Sequence, residues 1–66
     1  MQLTVNGESH EHTSDGSVTA LLAELGANPA HAAVTVNGDL VFSKDWKTFK
    51  LTGGDAVEVL TFVGGG

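Results

Sequence analysis

The last three residues, Gly64-Gly65-Gly66, are the part of this sequence best suited to chemistry. A glycine run is flexible, and without Cβ atoms it can pass through a narrow channel into the active site of another protein. The group delivered in this way is the carboxylate of Gly66, which becomes an electrophile when acyl adenylation by ATP supplies a good leaving group. Terminal glycines are more often a frayed end. Here, however, they follow a predicted strand with no polar spacer.

Other chemistry-bearing patterns are weak. The sequence contains no cysteine, which excludes a disulfide, a thiolate metal site and a persulfide-forming side chain. Neither Gly53-Gly54 nor the tail fits the phosphate-binding pattern G-x-x-x-x-G-K-[ST]. Serine, histidine and aspartate occur without a nucleophile elbow or paired carboxylates. We therefore expect no intrinsic catalysis and no cofactor bound by this chain.

His10 and His12 raise the alternative of a metal site, because an H-x-H pattern on a strand places both imidazoles on one side. No third ligand follows at a fixed spacing, and His31 adds none. The favoured interpretation is an exposed, polar strand, and no metal is expected.

Length and composition predict a single small folded domain. The chain has 66 residues, of which 41% are hydrophobic and 17% charged. Its net charge of −5 argues against a nucleic-acid partner and favours attraction to basic protein surfaces, although solubility explains it equally well. No signal-like segment and no apolar run near the roughly 20 residues of a membrane span is present. We expect a cytoplasmic monomer without membrane association.

The first half of the sequence predicts a hairpin followed by a helix. Residues 2–5 alternate polar and apolar, Asn6-Gly7 favours a two-residue turn, and a second strand covers residues 9–13. Ser17 is placed to cap a helix, and Gly26 with Asn28-Pro29 ends it. The apolar face of that helix consists of Val18, Leu21, Leu22 and Leu25.

The second half predicts another hairpin, a crossover and a long final strand. Strands at 33–36 and 40–42 flank the turn Asn37-Gly38. An irregular or short helical crossover follows over 43–50. Gly53-Gly54-Asp55 then turns the chain into a strand over 56–63 that is apolar on both faces, which indicates a central position. The predicted fold is an α+β β-grasp: a mixed sheet of four to five strands on one main helix, with a domain at 1–63 and a flexible tail at 64–66.

Aromatic and apolar residues divide into two predicted roles. Phe42, Trp46 and Phe49 are expected to anchor the core or its turns. Leu60 and Phe62, with Val63 beside them, lie next to the tail on a face that the single helix leaves open. We expect these three residues to form part of a docking patch for a partner protein.

A set of short fragments also runs along the whole chain in a recognisable order. The fragments are Met1-Gln2-Leu3, Asn6-Gly7-Glu8, Val18-Thr19-Ala20-Leu21-Leu22, Leu25-Gly26, Val34-Thr35-Val36-Asn37-Gly38, Trp46, Gly54-Asp55-Ala56-Val57-Glu58-Val59 and Val63-Gly64-Gly65-Gly66. In this order and spacing they resemble the ThiS family, the ubiquitin-like sulfur carriers of thiamin thiazole biosynthesis.

The resemblance implies a mechanism and a set of partners. A ThiF-like adenylyltransferase would use ATP and magnesium to adenylate Gly66, with Gly64 and Gly65 threading the partner's active site. A cysteine desulfurase system would then replace AMP with sulfur to give a thiocarboxylate. The thiazole synthase ThiG would receive that sulfur. The chain would be a carrier and cosubstrate, not an enzyme.

Two departures and several alternatives accompany the resemblance. Family members often carry Pro and Arg where this chain has Phe42-Ser43-Lys44, and many end in two glycines where this chain has three. The alternatives within the same class are a molybdopterin-synthase small subunit and a sulfur carrier of another pathway. Outside that class, a ubiquitin-like protein modifier and an interaction module with an inert tail also fit the sequence.

Overall fold

Two Asn-Gly turns build the hairpins of the fold. A computed structural model describes residues 1–62. Asn6 and Asn37 have φ angles of 51° and 52°, and the φ angle of the glycine after each is also positive. This conformation matches the twist of adjacent antiparallel strands and suits asparagine followed by glycine. The hairpin strands are β1 (Gln2–Val5) with β2 (Glu8–Glu11), and β3 (Ala32–Val36) with β4 (Asp39–Val41).

The helix α1 (Val18–Leu25) has the ends that the sequence predicts. The Ser17 hydroxyl oxygen accepts the Ala20 N–H at 3.1 Å, and Gly26 ends the helix at a φ of 71°. Leu25 is the exception on its apolar face, since its side chain is 36% exposed at the rim. Within residues 1–62, no helix is both long and apolar enough to traverse a bilayer.

Two short 3-10 helices complete the connections. Pro29–His31, which the sequence analysis did not predict, leads directly into β3, and Ser43–Asp45 follows the second hairpin. Trp46 is buried and its indole N–H donates to the carbonyl of Val41 at 2.9 Å, as expected of an anchor. Phe49 packs partly buried against the core. The same prediction is wrong for Phe42, which is 59% exposed directly after β4.

The last strand, β5 (Ala56–Thr61), occupies the centre of a five-stranded sheet in the order β2-β1-β5-β3-β4. It runs parallel to β1 and antiparallel to β3. The predicted β-grasp fold and the central position of the final strand are thereby confirmed. The strand assignment stops at Thr61, short of the predicted limit at residue 63. Val63 and the tail lie outside the described residues.

The core lies between the sheet and α1. Burial alternates along the strands, so one face of the sheet packs on the helix and the other remains open. The buried apolar residues are Leu3, Val5, Val18, Leu21, Leu22, Val34, Val36, Val41, Trp46, Leu51 and Val57. This arrangement leaves the open face and the C-terminal end of β5 accessible to a partner.

Candidate functional site

The proposed reactive residue, Gly66, and its neighbours Gly64, Gly65 and Val63 lie outside the described part of the chain. What the structure places is the segment from which they continue. That segment is the end of β5 together with Phe62, at the centre of the sheet.

The end of β5 is hydrogen-bonded on both sides. On the β3 side, Ala32 pairs with Thr61, and the Phe62 N–H donates to the carbonyl of His31 at 2.9 Å. On the other side, the strand register with β1 ends at Val57, opposite Val5. Beyond Val57, β5 therefore has its main-chain partners on β3. One further contact holds it on the β1 side.

That further contact is the side-chain amide of Asn6. Its Oδ1 accepts the Val59 N–H at 2.8 Å, and its Nδ2 donates to the Val59 carbonyl at 3.1 Å. The side-chain amide thus makes the two hydrogen bonds that a main-chain peptide group would make, at a point where β1 no longer pairs with β5. From the sequence, Asn6 is predicted only to be a turn residue. The long-range contact gave no signal in the sequence, because 53 positions separate the partners.

Four exposed apolar side chains belong to the open side of β4 and β5. The register places Leu60 opposite Ala33 and Leu40 opposite Thr35, so these positions share the face turned away from α1. Phe42 follows β4 and Phe62 follows β5. We call these the open-face residues: Leu40, Phe42, Leu60 and Phe62, exposed by 55%, 59%, 68% and 53%. A docking role is predicted from the sequence for Leu60 and Phe62, whereas Phe42 is predicted to be an anchor and Leu40 is predicted only as part of a strand.

Exposing this much apolar surface to water is unfavourable in free energy unless a partner protein covers it. A small chain with several large, exposed apolar side chains near one another is typical of a protein that binds another protein. Glu58 lies on the same side of β5 as Leu60, because side chains alternate along a strand. The open face therefore offers apolar area with an acidic residue beside it.

The expected exposed polar strand is confirmed for β2, where Glu8, Ser9 and Glu11 are exposed, but the expected exposure is wrong for the two histidines of the H-x-H pattern. His12 is 1% exposed and lies just after β2, while His10 is half-buried. His10 Nε2 and His12 Nδ1 each lie 2.9 Å from the same oxygen, Oε1 of Glu24 on α1. The Gly16 N–H donates to His12 Nε2 at 2.8 Å, which leaves Nδ1 to donate to Glu24.

Glu24 is the centre of this cluster. Its other oxygen accepts hydrogen bonds from the Ser14 hydroxyl at 2.6 Å and the Thr13 N–H at 3.0 Å. The Ser14 bond, aided by His10, His12 and the Thr13 N–H, holds the pKa of Glu24 far below its ordinary value, although burial opposes the change. Across residues 1–62, no three His, Cys, Asp or Glu side chains are arranged to hold a metal. The cluster fastens the end of β2 to the helix.

A cleft of about 330 Å³ opens between the C-terminal end of α1 and β5. Asn6, Val59 and Thr61 line its sheet side, and Leu25 and Gly26 its helix side. Among the described residues that line it, none carries a charge. The described lining of the cleft therefore offers no cationic side chain to hold the phosphates of a nucleotide.

Comparison with known proteins identifies a family that matches this chain. The ThiS family matches residues 3–66 of the chain. The crystal structure of the thiamine biosynthesis protein ThiS from Geobacter metallireducens is 36% identical, with each chain covered completely and a TM-score of 0.81. A solution structure of a thiamine biosynthesis protein from the same organism is 39% identical, covering all of this chain and 88% of the other, with a TM-score of 0.74.

A curated relative is much longer. A thiazole synthase of Paramagnetospirillum magneticum is 35% identical over all 66 residues, and the chain spans only 20% of its length. A segment similar to this whole chain thus occurs within a protein named for thiazole synthesis.

Proposed function

The chain belongs to the ThiS family, and on that premise we propose that it is a sulfur carrier for thiamine biosynthesis whose reactive group is the Gly66 carboxylate. The observation that carries the proposal is the family match, which extends through the terminal glycines to residue 66. The sequence offers no cysteine as an alternative attachment point for sulfur. The uncharged cleft supports a carrier that relies on a partner to bind ATP.

The proposed chemistry has two stages. In the first, a Gly66 carboxylate oxygen bonds to the α-phosphorus of ATP, and magnesium pyrophosphate leaves from the active site of a ThiF-like adenylyltransferase. In the second, the terminal sulfur of a persulfide from a cysteine desulfurase system attacks the acyl carbon, and AMP leaves. A thiol then cleaves the resulting acyl disulfide. The products are the thiocarboxylate of Gly66 and a second disulfide.

Each part of the chain has a role in this scheme. Gly64 and Gly65 pass through the enzyme's channel, since a residue without a side chain needs the least space there. Leu60, Phe62 and Val63 dock against the enzyme, and the exposure of Leu60 and Phe62 beside the end of β5 supports this role. Leu40 and Phe42 extend the same apolar area.

The acceptor that we propose is a thiazole synthase of the ThiG type. Support comes from the curated relative, which carries the name thiazole synthase and contains a segment matching this entire chain. Joining carrier and synthase in one chain would raise the effective concentration of the two partners.

Intact-mass analysis tests the proposal. The purified protein is incubated with a ThiF-type adenylyltransferase, ATP, magnesium, a cysteine desulfurase, cysteine and a thiol. We expect a mass increase equal to the difference between sulfur and oxygen, located at Gly66 by fragmentation. A chain lacking Gly65 and Gly66 is the control and should remain unmodified.

Two other outcomes would count against the proposal. A ladder of isopeptide-linked products in cell extract, without thiocarboxylate, would indicate a protein modifier. Full activity of the shortened chain in thiamine synthesis would show that the tail is inert.

A further inference from the structure

The two hairpin turns contain the dipeptide in which asparagine loses its side-chain amide most readily, Asn6-Gly7 and Asn37-Gly38. In this reaction the nitrogen of the following glycine attacks the asparagine Cγ, and glycine has no side chain to hinder the approach. The remaining asparagine, Asn28, precedes Pro29, whose nitrogen carries no hydrogen and cannot react in this way. Both turns are therefore potential sites of covalent modification.

In the folded chain, β5 and the residue before it hold both side-chain amides. Asn6 Oδ1 accepts the Val59 N–H at 2.8 Å, and its Nδ2 donates to the Val59 carbonyl at 3.1 Å. Asn37 Oδ1 accepts the Ala56 N–H at 2.9 Å, and its Nδ2 donates to Oδ1 of Asp55 at 3.0 Å. The oxygen and the nitrogen of each amide are thus both hydrogen-bonded to one segment of the chain.

These contacts oppose ring closure. A five-membered ring forms only when the asparagine side chain rotates back toward the main chain of its own turn, and that rotation breaks both hydrogen bonds of the amide. The main chain adds a restraint, because the Asn6 N–H donates to the Val57 carbonyl at 2.9 Å and the Asn37 N–H to the Ala56 carbonyl at 2.7 Å. Attack therefore requires β5 to separate from the turn.

We propose that Asn6 and Asn37 are sites of intramolecular deamidation that β5 controls: the reaction is suppressed while the strand is in place and proceeds when the strand separates from the turn. The glycine nitrogen bonds to Cγ, the Cγ–Nδ2 bond breaks, and the glycine N–H proton leaves with the amide as ammonia. Water then adds to one carbonyl of the resulting succinimide, and one C–N bond of the ring breaks. The product is aspartate or isoaspartate. This inference is independent of sulfur transfer.

The product should hinder the return of the strand. A carboxylate has no N–H to donate, so the product formed from Asn6 faces the Val59 carbonyl with an acceptor. The product formed from Asn37 faces the Asp55 carboxylate, where the two negative charges repel each other. An isoaspartate also adds one methylene group to the main chain of a two-residue turn. Deamidation thus turns a reversible separation of β5 into a lasting one.

One experiment measures both rates. The protein is kept in mildly alkaline buffer, folded in sodium chloride or unfolded in guanidinium chloride at the same concentration, and fragmentation mass spectrometry locates each exchange of NH2 for OH. We expect Asn6 and Asn37 to react on the order of 100-fold more slowly in the folded chain, since opening a central strand is costly in free energy. Asn28 is the internal control and should stay unmodified over the same period. Equal rates in the folded and unfolded chains would overturn the proposal.

Asp55→Ala tests whether the contacts themselves protect the amide. The substitution removes the acceptor of Asn37 Nδ2, together with that of the Thr52 N–H, and leaves both hydrogen bonds of the Asn6 amide in place. We expect the rate at Asn37 to rise about 3- to 10-fold relative to the rate at Asn6. This ratio cancels a general loss of stability, because both rates come from one sample.

Leu60→Ala, at an exposed position of β5, is the matched control and should leave the ratio of the two rates unchanged. An unchanged ratio in Asp55→Ala would overturn the proposal, because it would show that the reaction occurs only from the fully unfolded chain.

Asn37→Asp reproduces one product and tests the hindrance. We expect it to lower the Tm by about 4–8 °C at neutral pH, and adding Asp55→Asn should restore part of that loss because it removes the facing charge. Asn28→Asp is the matched control: aspartate caps a helix as well as asparagine does, so the Tm should change by less than about 2 °C. Equal Tm values for Asn37→Asp and Asn28→Asp would overturn the proposed hindrance.

Discussion

Phe62 and His31 make two contacts, one between their main chains and one between their rings. The Phe62 N–H donates to the His31 carbonyl at 2.9 Å, and the two rings meet edge to face with centroids 6.5 Å apart and an angle of 63°. The last described residue is thus attached to the 3-10 helix Pro29–His31, while its ring remains more than half exposed. The main-chain hydrogen bond fixes where Phe62 leaves the sheet, and its ring stays available to a partner on the open face.

Truncation of the docking residues should weaken binding to the adenylyltransferase. We expect Leu60→Ala and Phe62→Ala each to raise the Kd about 5- to 30-fold, because interface residues of this size contribute on the order of 1–2 kcal/mol. Titration calorimetry with the enzyme in the absence of ATP measures the effect. His31→Ala is the control: it removes the ring contact but keeps Phe62, and should change Kd by less than about threefold. Unchanged affinity in Phe62→Ala would refute its docking role.

The Glu24 cluster should make stability depend on acid pH. The folded-state pKa of Glu24 is lowered chiefly by the Ser14 hydroxyl, whereas the unfolded chain returns to the ordinary value near 4.5. The folded state therefore binds fewer protons, so the stabilisation is fully present above pH 4.5 and declines as the pH falls below it. Urea denaturation at a series of pH values measures this decline.

Glu24→Gln should remove most of that dependence. At pH 7 we expect a loss of about 1–3 kcal/mol in the free energy of unfolding, because a glutamine amide cannot accept all the hydrogen bonds that the carboxylate accepts. The matched control is Glu8→Gln at an exposed position of β2, which should cost less than about 0.5 kcal/mol. Parallel pH profiles for the wild type and Glu24→Gln would contradict the role of this carboxylate.

The neutral ring of His12 should carry its proton on Nδ1. A backbone N–H can only donate, so the 2.8 Å contact from Gly16 requires an unprotonated Nε2. Long-range ¹H–¹⁵N correlation spectra at pH 8 distinguish the two nitrogens, and His31 gives an internal comparison. Nε2 of His12 should have the shift of an acceptor nitrogen. The opposite tautomer would show that the Gly16 contact is absent in solution.

The Trp46 anchor should tolerate substitution poorly. Trp46→Phe leaves the buried carbonyl of Val41 without its donor and removes buried volume. We expect a loss of about 2–4 kcal/mol in the free energy of unfolding, measured by urea denaturation. Phe49→Leu, at a partly buried position, should cost less than about 1.5 kcal/mol. A smaller effect at Trp46 than at Phe49 would contradict the prediction.

Several elements could be predicted from the sequence because their causes are local. Asn6-Gly7 and Asn37-Gly38 favour positive φ angles by their own chemistry. Ser17 and Gly26 mark the ends of α1 in the same way. The final strand was predicted to be central because it is apolar on both faces, and the topology confirms this.

The errors arose where a side chain's surroundings depend on distant residues. His12 was expected on an exposed polar strand, yet it is buried because Glu24 and Gly16 satisfy both ring nitrogens. Phe42 was expected to anchor the core, yet it is exposed, because it follows the buried Val41 and so lies on the opposite side of the chain. Polarity alone could not give these results, because burial of a polar ring depends on partners that only the fold supplies.

The order of the elements follows from local propensity, and the resemblance to the family rests on the order and spacing of short fragments along the chain. The residue at which covalent chemistry is proposed follows from the terminal glycines and the absence of cysteine. What holds the strand before the glycine tail depends on tertiary contacts. The pairing of Asn6 with Val59 joins residues 53 positions apart. Such a contact exists only after the parallel strands β1 and β5 come together.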